Sequence, residues 1–113
     1  MKAEFIREIC LSFPGAKEDI KWEQNLCFLV QEKMFCITDI ESDFGVSLKV
    51  KEDEFDALTS RMGISPAPYL ARYKWIRVNS QECFTMAEWK HFLGQSYQMV
   101  KAKLSSKQRK KIA

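Results

Sequence analysis

Phe44-Gly45-Val46-Ser47-Leu48-Lys49-Val50 alternates large apolar residues with small or polar ones. A period of two marks a half-buried strand, because successive side chains on an extended backbone point to opposite faces. Phe44, Val46, Leu48 and Val50 therefore share a face that has to be covered, and a slip of one residue would expose all four. The register of this strand is expected to be firm.

Upstream, Leu26 to Val30 and Met34 to Ile40 are two more apolar runs, read as a hairpin around Glu32-Lys33. With that loop Phe28 lies opposite Ile37 and Val30 opposite Phe35, all on the core side, while Cys27, Leu29, Cys36 and Thr38 share the other face. Asp39 to Asp43 reads as a polar turn. Ile20 and Trp22 share one face of a first strand that ends in a turn near Gln24-Asn25. At the start of the chain, Phe5, Ile6, Ile9 and Cys10 fall at helical spacing and predict a helix from Lys2 to Leu11, stopped by Pro14-Gly15.

Downstream, Lys51 to Arg61 reads as a second helix. Glu52-Asp53-Glu54 suits its positive end, Phe55, Leu58 and Met62 form its inner face, and Gly63 stops it. Pro66-Ala67-Pro68 is a stiff loop. Lys74 to Val78 is another strand, with Trp75 and Arg77 on one face and Ile76 and Val78 on the other. Thr85-Met86-Ala87-Glu88 is a capping box. Behind it Trp89, Phe92, Leu93, Ser96, Tyr97, Val100 and Leu104 keep helical spacing over about 30 Å. The order αββββαβα implies an α+β fold, a two-layer sandwich with an antiparallel sheet and helices on one side. Residues 1–104 form a single domain; residues 105–113 are a basic C-terminal tail, too polar to pack and expected to fray.

The 113 residues suit one hydrophobic core, and an apolar share of 46% with 29% charged residues excludes the disordered class. No secretory segment or membrane-spanning run is visible, which points to a cytoplasmic protein with no membrane partner. Cys10, Cys27, Cys36 and Cys83 form no C-x-x-C pair and are expected to be reduced. The first hundred residues hold twelve Lys and Arg against fifteen acids, a net charge of −3; the last thirteen hold six cations and no acid.

Motifs for catalysis are missing from the sequence: no G-x-S-x-G, P-loop, H-E-x-x-H or glycine-rich nucleotide loop occurs. The single histidine, His91, points away from the apolar stripe of its helix. No enzyme activity, cofactor or metal is expected, and a monomer is.

The residues placed on this order resemble the bacterial MmcQ/YjbR family. Its landmarks are Phe13-Pro14-Gly15-Ala16, Trp22, Lys33-Met34-Phe35, Leu48-Lys49-Val50 and, most densely, Gly63-Ile64-Ser65-Pro66-Ala67-Pro68-Tyr69 leading to Lys74-Trp75-Ile76-Arg77-Val78. Ser96-Tyr97 and Lys103-Leu104-Ser105-Ser106-Lys107 complete them. The resemblance implies a fold like that of the iron chaperone frataxin and its bacterial counterpart CyaY, and a role described as double-wing DNA binding. An iron surface would need many carboxylates on one helix face, whereas the first helix offers Glu4 and Glu8 with Lys2 and Arg7 close by.

DNA is accordingly the leading partner, bound weakly and without strong sequence preference. The candidate contacts are Lys33 at the hairpin tip, Arg72, Lys74 and Arg77 near the proline-rich loop, and Lys107, Arg109, Lys110 and Lys111 in the tail. Lys101 and Lys103 are explained by the negative end of the last helix. Tyr69 and Trp75 are candidates for stacking or contact where they are exposed. Against this stand the acidic body and an isoelectric point of 8.7, short of a dedicated binder. The alternative is a protein-interaction or small-ligand module built on Tyr69, Trp75 and Arg77.

Overall fold

The computed structural model describes residues 4–39 and 44–112. Its elements are α1 (Glu4–Leu11), β1 (Ala16–Lys21), β2 (Asn25–Val30), β3 (Lys33–Asp39), β4 (Val46–Lys49), α2 (Glu52–Thr59), β5 (Ile64–Pro66), β6 (Trp75–Val78), α3 (Met86–Ala102) and α4 (Ser106–Lys110). Short 3-10 turns at Ala71–Tyr73 and Gln81–Cys83 flank β6. The strands form one antiparallel sheet in the order β1-β2-β3-β4-β6-β5. α3 lies across β2, β3 and β4 with α1 beside it, and α2 packs by β5 and β6.

The alternation that opened the sequence holds. Val46, Leu48 and Val50 are buried under the helices, and Phe44 packs at their edge. Trp89 is the centre of this core: Phe5, Phe44 and Phe84 present edges to its indole at centroid distances of 5.7, 5.8 and 5.0 Å. Its buried N–H is satisfied by donating to the Gln81 carbonyl at 3.1 Å. The capping box is present, with Glu88 N–H donating to the Thr85 hydroxyl and Thr85 N–H to the Glu88 carboxylate.

The hairpin departs from the sequence expectation. Its loop is Gln31-Glu32, with φ of 48° and 68°, so Val30 pairs with Lys33 and Leu29 with Met34. Two left-handed residues give the turn whose twist matches the flanking strands, although neither is the glycine or asparagine that usually announces it. A β-bulge then shifts the register, and Phe28 pairs with Cys36 rather than Ile37. Phe35 is the extra residue. Phe35 and Cys36 both enter the core, Thr38 follows on that side, and Ile37 turns to the opposite face.

Other differences are smaller. Trp22 is not in the first strand but in the turn beyond it, and Ile20 is exposed. β5 pairs three residues that read as loop. The expected helix start at Lys2, most of the polar turn ending at Asp43, and Ala113 lie outside the described residues.

The segment expected to fray is folded back. Ser105 and Gln108 make a second capping box, α4 follows, and Ile112 is 7% exposed in the core cluster. A Cβ at Gly15, where φ is +73°, would sit 3.1 Å from Ile112, so glycine admits the close approach. One apolar residue near the end of a basic segment was enough to anchor it.

Among the described residues no helix is long and apolar enough to cross a membrane, and no group of three or more His, Cys, Asp or Glu is placed to hold a metal ion.

Candidate functional site

The sheet face away from the helices carries the residues that alternate with the core positions. In register across four strands these are Cys27, Ile37, Ser47 and Arg77, with Asn25 paired to Asp39 one step along. Two turns rise beside this floor. Trp22 stands on the β1–β2 turn, 66% exposed, and Tyr69 on the loop before β6, 98% exposed. Ala67 N–H donates to the Trp75 carbonyl and Trp75 N–H to the Leu70 carbonyl, which clamps the loop over Trp75 and leaves Tyr69 at its tip. The concavity between the two turns has a volume of about 630 Å³.

Its floor is polar at a few points. Arg77 Nε donates to Asn79 Oδ1 at 2.9 Å, and its Nη2 lies 3.6 Å from Asp39 Oδ2. The guanidinium lies over Gly45, where any Cβ would run into it. Asn25 Nδ2 donates to the Thr38 carbonyl at 3.3 Å. Cys27 is fully buried, and burial pushes its thiol up to about 11, so it offers no thiolate at neutral pH.

A second concavity of about 350 Å³ adjoins the first, and Met34 and Leu70 line both. Lys33, Lys49 and Lys103 meet there beside Tyr73 and Trp75, and no carboxylate belongs to its lining. Lys49 Nζ donates to the Tyr73 carbonyl at 2.5 Å. Burial, and then the positive charge of Lys103, hold the Lys49 ammonium below its ordinary pKa. An arriving anion would offset both by pairing with the ammonium groups.

The residues singled out in the sequence divide accordingly. Arg77 and Tyr69 belong to the larger concavity and Lys33 to the smaller. Arg72 is exposed on the intervening loop, its guanidinium 4.8 Å from the Tyr73 ring centre and donating to the Tyr73 hydroxyl. Trp75 is 7% exposed and has no face for stacking. Lys74, in left-handed backbone, turns its ammonium toward Phe55 of α2, on the helix side. Lys107, Lys110 and Lys111 are exposed on or just after α4, whereas Arg109 Nη1 donates to the Ala102 carbonyl at the end of α3.

Sequence reasoning missed Trp22, Asn25, Ser47, Lys49 and Lys103 as site residues. Ser47 and Lys49 carried a usable signal, since they are the alternating partners of the core positions in the strand that fixed the register. Lys103 was absorbed by a sufficient helix-end explanation.

The sequence profile of the YjbR family matches residues 11–99, a span that includes the whole floor of the larger concavity. Among solved structures, a Deinococcus radiodurans protein, DR2400, with a DUF419 domain superposes with a TM-score of 0.88 at 24% identity, covering 98% of this chain and 87% of that one. A Pseudomonas syringae protein superposes with a TM-score of 0.70 at 21% identity, covering 88% and 98%. At these identities the likeness is one of fold. No curated protein matches the chain.

Proposed function

The chain belongs to the YjbR family, and from that premise we propose that it binds DNA through the lysine cluster where the open sheet face meets the C-terminal end of α3, weakly and with little sequence preference. The observation that carries this reading is the meeting of Lys33, Lys49 and Lys103 on one concavity whose lining holds no carboxylate. Phosphates are attracted by such a cluster, and each contact releases condensed counterions. The carboxylates of α1 and β1 sit on other elements than this cluster, whereas Glu52, Asp53 and Glu54 at the start of α2 follow Lys49 closely and weaken its attraction for phosphate. Glu32, beside Lys33 in the hairpin turn, works against binding and keeps the expected affinity modest. Lys107, Lys110 and Lys111 extend the cationic surface beyond α3.

In this reading the protein is a cytoplasmic, monomeric binder without catalysis or cofactor. The test is DNA affinity as a function of salt for the parent chain and for Lys33→Gln/Lys103→Gln. The logarithmic salt slope should flatten by about 0.7–0.9 per lysine removed. No binding by the parent at low salt, or an unchanged slope in the variant, overturns the proposal.

A further inference from the structure

Three polar side chains on the floor of the larger concavity retain hydrogen-bonding capacity. Arg77 uses Nε for Asn79 and Nη2 for Asp39, which leaves the Nη1 donors. Asn25 uses its amide nitrogen for the Thr38 carbonyl and keeps Oδ1 as an acceptor. Ser47 is 8% exposed, lines the concavity and makes no side-chain hydrogen bond to the described residues, so its hydroxyl can donate or accept. Ser47 and Arg77 are paired across β4 and β6, and Asn25 lies on the same face two strands away. Around them Met34, Ile37 and Leu70 supply apolar surface.

The two flanking aromatics are placed at a conformational disadvantage. Trp22 has φ of 53° and Tyr69 of 66°. Bulky residues are rare in left-handed backbone, where glycine or asparagine is the cheaper choice. Tyr69, 98% exposed, recovers none of that cost by burial and Trp22, 66% exposed, recovers only part of it, and both stand at the rim of the same concavity. Backbone strain held at a concave site is a pointer to function.

These features restrict the occupant. Flat apolar faces suit the rings, and a rim of alternating donors and acceptors suits Arg77, Ser47 and Asn25. A net charge does not suit the floor: Arg77 and Asp39 already neutralise one another, so an added carboxylate would meet Asp39 and an added ammonium would meet Arg77. We infer that the larger concavity receives one unpaired nucleobase, stacked on Trp22 or Tyr69 and hydrogen-bonded along its edge by Asn25, Ser47 and Arg77. The lysines of the adjoining concavity lie where the phosphates attached to that base would run. The inference rests on the nucleic-acid reading for the identity of its ligand, but on different side chains. It requires a single strand, since a duplex keeps its bases paired and stacked.

The test compares binding of the full chain to a single-stranded oligonucleotide, to an abasic strand of equal length and to the duplex. The single strand should bind about tenfold tighter than the abasic strand, the contribution expected of one stacked base. Tyr69→Gly and Trp22→Gly should lower single-strand affinity toward the abasic value and leave abasic binding unchanged; Lys33→Gln/Lys103→Gln should weaken all three. Equal affinity for the single and abasic strands, with the lysine dependence intact, overturns the base site and leaves the phosphate reading standing. Free nucleosides, followed by fluorescence of the exposed Trp22, distinguish the source of the base. Saturable quenching by a nucleoside when no strand binds keeps the base site and overturns the phosphate reading. Neither quenching nor strand binding overturns both.

Discussion

The Ser96 hydroxyl, buried on the inner face of α3, donates to the Phe35 carbonyl at 2.6 Å. Phe35 is the extra residue of the β-bulge, where the ladder between β2 and β3 is interrupted. The same hydroxyl accepts the Lys49 amide at 3.1 Å. One side chain thus satisfies backbone groups of β3 and β4 and ties the helix to both. Where the ends of these strands meet the C-terminal end of α3, Met34 and Lys49 line the lysine concavity together with Val100 and Lys103. The core contact and the candidate site share a backbone.

Ser96→Ala should therefore be more harmful than its size suggests. It leaves a buried carbonyl and an amide without their partner, which is expected to cost about 1–3 kcal/mol. Urea denaturation should show a lower midpoint with an unchanged slope. A loss below about 0.5 kcal/mol would mean that water or a backbone shift replaces the hydroxyl.

The contrast between what could and could not be read in the sequence follows the same physics. β4 and α3 were legible because their signals are local: alternation in one strand, a capping box and a stripe on one helix. The hairpin register was not, because Gln31-Glu32 takes a left-handed turn without the residues that usually require one, and the bulge at Phe35 has no local marker. α4 escaped, although its capping box at Ser105 and Gln108 is a local signal, because Ile112 is buried in a core made by residues far away in the chain, with Gly15 beside it almost a hundred residues earlier. The site was half legible. Arg77 and Tyr69 were singled out by type, while Trp22, Asn25 and Ser47 gain meaning only from strand pairing across the sheet.

Tyr69→Gly should raise stability while lowering ligand affinity. The side chain is 98% exposed, so its loss removes no burial, and glycine relieves the left-handed backbone. The relief exceeds the added freedom of the unfolded chain by about 0.5–1 kcal/mol. A rise in thermal midpoint is the expected result. A fall would show that the ring packs against the protein in solution.

The C-terminal segment separates packing from charge. Ile112→Ala should destabilise by about 2 kcal/mol, at the low end for a buried aliphatic because the residue is at the edge of the core. Lys107→Gln, Lys110→Gln and Lys111→Gln should leave stability within about 0.5 kcal/mol, as exposed substitutions usually do. Ending the chain at Leu104 removes both contributions at once and is a poor probe of the cations. If the three Gln substitutions unfold the protein as readily as Ile112→Ala, the anchoring role assigned to Ile112 is wrong.

Glu88 makes a prediction about acid. Its carboxylate accepts the Thr85 amide at 3.0 Å and lies 3.0 Å from Arg61 Nη1, and these partners, the amide first, hold it below its ordinary value of 4.5. A carboxyl depressed in the folded state adds stability that is complete above its unfolded pKa and is lost as pH falls through the folded one. Stability should thus decline as pH drops from about 5 to about 3. The carboxylate is partly exposed and its field is screened by solvent, so its share is below about 1 kcal/mol. Glu88→Gln keeps the cap and cannot titrate; its stability should fall less steeply over that interval. Thr85→Ala, which removes the hydroxyl that accepts the Glu88 amide, should instead cost about 1 kcal/mol at neutral pH. Parallel pH profiles for the parent and Glu88→Gln would assign the acid sensitivity to other carboxylates, with Glu18 of the Arg7 ion pair the next to replace.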